Sequence, residues 1–396
     1  MRGRIAIFIL SATVAAGPAL AQWDFTGSAA VELRGFPDDP AYPGQLDGVQ
    51  GSLVLDAEWT WRGPAGRHEA GFVPFLRLDA ADDERTHFDL REAWFRRVGN
   101  DWELLAGVQE VFWGVTESRH LVNVINQVDA VEDIDEEDRL GQPMLQLALQ
   151  RDWGRLQAFV LPGFRERTFP GGEGRLRTPL PVDTDGARYE SGAEEHHVDV
   201  ALRWSHVLGD WDLGAYWFRG TGREPRLLLE PAGDRLVPFY DVIQQAGVDV
   251  QYTRGAWLWK LEAIAREGQG RRFGAAVAGF ERTLYGIGNS GVDLGLLFEA
   301  LYDGRDDTAP VTPYDEDYFA GARVAWNDAA DTSLLLGAIV DAHDGSTAAF
   351  LEAERRLGQR MRLAVESRWF LNVDPADPLS AIERDDFVTI RLSTFF

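Results

Sequence analysis

Apolar side chains recur at every second position along most of this chain, and that period constrains its local geometry more than any other feature. Leu53, Leu55, Ala57, Trp59 and Trp61 alternate with Ser52, Asp56, Glu58, Thr60 and Arg62. Val198, Val200, Leu202 and Trp204 alternate with Asp199, Arg203 and Ser205. The same holds for Trp257, Trp259, Leu261, Ala263 and Ala265 against Lys260, Glu262 and Arg266, and for Val292, Leu294, Leu296, Phe298 and Ala300 against Asp293 and Glu299. Residues two apart share one face of an extended strand, whereas a helix repeats about every 3.6 residues. The chain therefore reads as a succession of strands, each with one apolar and one charged face.

About 18 such strands are expected, near 23–35, 50–61, 68–79, 87–98, 102–112, 143–151, 154–162, 194–206, 211–219, 243–254, 256–266, 272–284, 292–302, 317–327, 332–341, 347–356, 360–370 and 386–396. Their connections alternate between short turns, such as 99–101, 152–154 and 208–210, and long loops, such as 36–49, 113–142, 163–193, 220–242, 303–316 and 371–385. Trp23, Trp102, Trp153, Trp211, Trp326 and Trp369 fall near strand ends, where the aromatic girdles of a membrane-spanning sheet belong. These features give an all-β fold, a transmembrane antiparallel β-barrel of about 16–18 strands, the range reflecting the weak loop contrast at 267–291 and 342–346. Arg2 and Arg4, the apolar run from Ile5 to Ala16, and Ala19-Leu20-Ala21 have the order of a secretory leader over 1–21. That leaves 22–396 as a single barrel domain. The sequence contains no cysteine, which excludes a disulfide framework and thiolate metal sites.

The formal net charge is −25, and Lys260 is the only lysine, so nucleic acid is an unsuitable partner. Placing the polar strand faces inward gives a wall with basic residues such as Arg62, Arg77, Arg91, Arg362, Arg368 and Arg391, balanced by acidic residues such as Asp56, Glu58, Glu262, Glu299 and Glu366. The acidic excess then falls in the loops. Those loops serve solubility or hold divalent cations that bridge lipopolysaccharide phosphates, while like charge at a pore mouth enriches cations. No cofactor is expected, and no catalytic or metal-ligating set emerges. The seven histidines are scattered, and the adjacent His196 and His197 point to opposite faces of a strand. Gly286-Ile287-Gly288-Asn289-Ser290-Gly291 lacks the lysine and helix of a phosphate loop and reads as a turn.

One long segment breaks the rhythm, 107–143. It carries the apolar run Leu121-Val122-Asn123-Val124-Ile125, expected as a short helix packed on the wall, and the acidic block Glu132, Asp133, Asp135, Glu136, Glu137 and Asp138. With a leader, alternating strands over the whole mature chain and a final strand ending on Phe396, the sequence resembles bacterial outer-membrane β-barrels of the porin type. That resemblance implies an outer-membrane location, contact with lipid and lipopolysaccharide, reading of Phe396 by the barrel-assembly machinery, and homo-oligomerisation as an open alternative. It implies a channel for small polar solutes rather than an enzyme. In porins the loop after the fifth strand folds into the lumen opposite basic wall residues. By that likeness, 107–143 would be the constriction, its six carboxylates facing pore water opposite Arg62, Arg77, Arg91, Arg362, Arg368 and Arg391. Gly107-x-Gln109, Trp113-Gly114 and Asn123-x-x-Asn126 also resemble alginate-export and lipid-exporter-associated barrels. That likeness implies the alternative of a dedicated conduit for lipid, polysaccharide or a hydrophobic compound.

Overall fold

The computed structural model describes residues 21–396. The leader expected over 1–21 lies, apart from Ala21, outside the described residues. In chain order the strands are β1 (Gln22–Gly35), β2 (Val49–Arg62), β3 (His68–Asp79), β4 (His87–Val98), β5 (Trp102–Gln109), β6 (Gln142–Arg151), β7 (Gly154–Pro162), β8 (Arg188–Tyr189), β9 (Val198–Leu208), β10 (Trp211–Thr221), β11 (Arg226–Leu229), β12 (Leu236–Tyr240), β13 (Val242–Arg254) and β14 (Trp257–Gly268). They continue with β15 (Gly270–Leu284), β16 (Asp293–Asp303), β17 (Glu316–Ala325), β18 (Ser333–Asp341), β19 (Thr347–Leu357), β20 (Met361–Leu371) and β21 (Phe387–Phe395).

All except β8, β11 and β12 form one 18-stranded antiparallel sheet in which each strand pairs with its neighbour along the chain. β21 returns to β1, with Ser28 opposite Phe395 and Gly35 opposite Val388, so the sheet closes on itself. Closure leaves no strand edge with unpaired backbone groups, which hydrocarbon would penalise severely. β8, β11 and β12 form a separate small sheet within the long loops.

The period of two becomes an inside-out barrel. On β1, Val31 and Leu33 are 52% and 51% exposed, while Glu32 and Arg34 between them are 4% exposed. Rings line the short-turn end: Trp23 lies against Trp61, Phe25 against Trp59, Trp211 on Tyr252, and Trp257 on Trp259 and Phe280. Such amphipathic rings suit the boundary between lipid and water.

Both hairpins with weak sequence contrast are present, which settles the strand count. The expected connection 267–271 contracts to Gln269 alone between β14 and β15. Gly268 and Gly270 have φ of +104° and +71°, and a Cβ on Gly268 would lie 2.2 Å from the Val242 carbonyl oxygen. Only glycine accommodates that turn.

Candidate functional site

The connection from β5 to β6 leaves the loop end and folds into the lumen. Inward-facing wall residues hold it on two sides by different chemistry.

One side is ionic. Arg77 of β3 forks onto Glu132, with Nε 2.6 Å from Oε1, and also donates to Glu32 of β1 at 2.8 Å. Arg34 of β1 donates to Asp133 at 2.7 Å. Arg368 of β20 donates to Asp135 at 2.7 Å and lies 3.5 Å from Asp133. Arg91 of β4 donates to Asp129 at 2.6 Å, and Arg85 ties Glu32 to the Val131 and Glu132 carbonyls. Paired, forked guanidinium contacts of this kind are the strong form of charge-assisted hydrogen bond.

The other side is apolar. Trp113, Leu121, Val122, Val124 and Ile125 join a buried cluster with Phe159, Leu161, Tyr216, Phe218, Ile243, Ile264, Val277, Leu301 and Phe319 from the wall. Val122 and Ile125 are completely buried, and each contributes roughly 1.5–3 kcal/mol by leaving water. The wall is therefore not a uniformly polar lining, as the strand alternation implied, and part of the interior is a packed core.

The backbone of 115–122 is held by two carboxylates. Glu262 of β14 accepts from the Val115, Thr116 and Val122 amides and from the Thr116 hydroxyl. Glu299 of β16 accepts from the Glu117 and Ser118 amides and the Ser118 hydroxyl. The helix expected at 121–125 is absent. Asn126 instead accepts from the Val111 amide and donates to the Gln109 and Leu140 carbonyls, and the Val122 amide goes to Glu262. Side-chain bonds to backbone and wall thus replace the helical ladder.

The expected pairing of acids with arginines is only partly what the structure assembles. Glu132, Asp133 and Asp135 meet Arg77 and Arg368, but Arg91 goes to Asp129, and Glu136 pairs with Arg167 of a loop. Arg62 and Arg362 sit at the short-turn end with Glu69 and Glu354, and Arg391 is beside Glu32. Glu132 and Asp133 are buried rather than facing pore water, because ion pairing with the wall takes their oxygens; Glu137 and Asp138 are exposed. Arg34, Arg85, Asp129, Glu262 and Glu299 were missing from the expected site. Arg34, Glu262 and Glu299 occupy the charged faces of alternating strands and could have been found there. Asp129 and Arg85 lie in loops, where no period assigns a direction.

Enclosure sets the charge state of the insert. Burial opposes ionisation of Asp129, but the His87 hydrogen bond and Arg91 outweigh it and bring it down to about 2. Asp138 touches the water of the lumen but is surrounded by the barrel beside Glu132, Asp133 and Asp129 without an ion pair of its own, and is pushed up to about 7. Asp133 and Asp135 share Arg368; burial is overcome by Arg34 and Arg368 for Asp133, which lies low, while burial and Asp133 hold Asp135 high.

Among the described residues, three groupings bring potential metal ligands within 4.8 Å of one another: His87, Asp129 and Glu132; Asp315, Asp341 and His343; and Asp341, Asp344 and Asp377. In the first, Arg77 and Arg91 already neutralise the carboxylates. The other two share Asp341 at the end of β18 and draw their remaining groups from loops, exposed Asp315, His343 and Asp344 and buried Asp377.

The architecture recurs among solved structures. A BenF-like porin from Pseudomonas fluorescens aligns over 95% of this chain and 98% of its own, with 12% identity and a TM-score of 0.53. OccK5 (OpdH) from Pseudomonas aeruginosa covers 96% and 99%, with 8% identity and a TM-score of 0.52. Wzi, a carbohydrate-binding outer-membrane barrel involved in group 1 capsule assembly in Escherichia coli, covers 92% and 83%, with 12% identity and a TM-score of 0.53. The chain has the fold of a bacterial outer-membrane porin. No protein-family model and no curated protein matches the sequence. At such identities the porin fold is shared, and the lumenal side chains have to be read on their own terms.

Proposed function

We propose that the protein is an outer-membrane channel for small polar solutes in which the 110–141 segment narrows the lumen. The observation that carries this reading is the insert itself, held between the arginines of β1, β3, β4 and β20 and the apolar inner wall of β7 to β17. A surface loop has no use for ion pairs with one arc of the inner wall and apolar packing against the opposite arc, whereas a constriction needs a fixed position and a charged rim. The porin fold and the lipid-facing apolar belt support the outer-membrane location.

A second reading, a dedicated conduit that opens for one ligand, draws support from the density of bonds that Glu262 and Glu299 make to the insert. Planar-bilayer recording separates the two. An open, ohmic pore supports the first reading, and a barrel that stays shut until a ligand is added supports the second. Replacing Glu132, Asp133, Asp135, Glu136, Glu137 and Asp138 together by their amides is expected to raise conductance and lower cation preference. Unchanged conductance and selectivity would remove the insert from the pathway.

A further inference from the structure

On the mouth side, the insert and the loops 163–187, 222–235 and 304–315 surround two adjoining cavities of about 280 and 180 Å³. The outer one has an apolar wall from Phe169, Leu176, Val182, Leu227, Pro310 and Val311. The inner one is polar, with His120, Asn123, Arg139, Arg223 and Arg266. Arg119, Ile134, Glu136, Glu224, Pro313 and Tyr314 belong to both, and Asp135 lines the inner one.

Most of the arginines here are already neutralised. Arg119 and Arg305 lie on Asp303, Arg266 on Glu224, Arg223 on Asp199 and Arg167 on Glu136. Arg177 and Arg139 are the exceptions; Arg177 donates to the Gly172, Thr178 and Pro179 carbonyls, whereas Arg139 is nearly without acceptors. It is 6% exposed, its Nε is buried without a hydrogen-bond partner, and its Nη1 makes one long bond of 3.4 Å to the Asn126 carbonyl. Among the described residues, Arg139 has no carboxylate at ion-pair distance. His120 Nδ1 beside it is also buried and unpartnered. A buried guanidinium with donors to spare is unfavourable until an acceptor arrives.

We infer that these cavities bind a small amphipathic organic anion, its oxyanion head against Arg139 in the inner chamber and its apolar body along the Phe169, Leu176 and Val311 wall. The acidic loops around the mouth would repel anions at long range, and Asp135, Glu136 and Glu224 line the inner chamber, so the unpaired Arg139 guanidinium is what retains one. The site deepens the channel reading by naming what would dwell above the insert. Binding is read at equilibrium, so its failure is distinguishable from a failure of conduction.

Isothermal titration of the full-length, refolded barrel in detergent, with phenylacetate as probe, tests the inference. Phenylacetate is expected to bind, the neutral 2-phenylethanol to give no measurable binding, and inorganic phosphate to bind about tenfold more weakly for want of the apolar body. Arg139→Gln should weaken phenylacetate roughly tenfold or more, and Arg139→Lys should recover part of the loss. Val311→Glu lies on an exposed loop away from the insert and is expected to weaken binding by like charge, while Arg355→Gln at the short-turn end leaves it unchanged. The proposal is overturned if the unsubstituted protein takes up no phenylacetate, or if R139Q and V311E both bind as it does. Equal binding of 2-phenylethanol or phosphate would overturn the amphipathic assignment.

Discussion

Asp138 is the carboxylate of the insert with a titration near neutrality. Its pKa rises from 3.8 to about 7 because enclosure and three neighbouring carboxylates disfavour its charge. The folded protein therefore binds a proton there that the unfolded chain has already lost between those two values. The stability this group contributes is complete below its ordinary pKa and is lost as pH rises through about 7. The same step adds one negative charge to the insert, within a Debye length of about 8 Å of passing ions at physiological salt. Cation over anion permeability is expected to rise roughly twofold from about pH 6 to about pH 8, and to stay flat in Asp138→Asn. Reversal potentials under a salt gradient check this, and a pH step of the same size in D138N would reassign it to another group. Glu132→Gln probes a different cost, because it strips one of the two carboxylates from the buried Arg77. Breaking a buried pair destabilises by about 3–5 kcal/mol, and the remaining Glu32 places this variant near the lower figure of about 3 kcal/mol. Denaturant unfolding of the refolded barrel measures it; a loss under about 1 kcal/mol would mean that water reaches Arg77.

The insert is held as one element, and Glu262 is its most connected anchor. Three amides and a hydroxyl converge on that carboxylate from residues 115, 116 and 122. Glu262→Gln keeps an acceptor but brings a donating amide against those hydrogens. The segment is expected to loosen, with more frequent current fluctuations and faster trypsin cleavage after Arg119 in the folded barrel. Cleavage at the unsubstituted rate would assign the anchoring to the apolar side alone. Much of this element was legible in the sequence. Its place after the fifth strand, its acidic block and its apolar run could all be read, because a break in a period of two is visible without coordinates. Its conformation was not legible. Leu121 to Ile125 is apolar enough to pack on the wall, but its β-branched Val122, Val124 and Ile125 and its Asn123 are weak helix formers, and the bonds that decide against a helix come from Asn126 in the segment and Glu262, far away along the chain. The inner core has a sequence signature of its own. Ala158-Phe159-Val160-Leu161 and Tyr216-Trp217-Phe218 are apolar on both faces, which a water-lined wall does not need. Such a run signals a partner packed inside.

The barrel as a whole is held shut at one seam, where β1 and β21, the first and last strands of the described residues, meet. Beyond the ladder, the Gly27 amide donates to the Phe396 carbonyl and the Phe396 amide to the Gly27 carbonyl, each at 3.0 Å. The Phe396 ring lies 6.0 Å from that of Phe25 and covers Gly27, where a Cβ would sit 2.6 Å from it. Phe396 thus has a structural use in addition to any signal that the assembly machinery reads, and two variants separate these roles. Deleting Phe396 removes two backbone bonds and the ring contact, a loss of about 2–4 kcal/mol. Phe396→Ala restores the backbone bonds and leaves only the ring deficit, about 1 kcal/mol. If the residue acts through the seam alone, outer-membrane yield should follow the unfolding midpoints measured in detergent, with the deletion clearly worse than the alanine variant. If a terminal ring is read during assembly, Phe396→Ala should lose yield while the deletion, which ends on Phe395, keeps it although it is the less stable of the two. The second outcome is the expected one, since a seam that retains the pairs from Ser28–Phe395 to Gly35–Val388 remains closed in both variants.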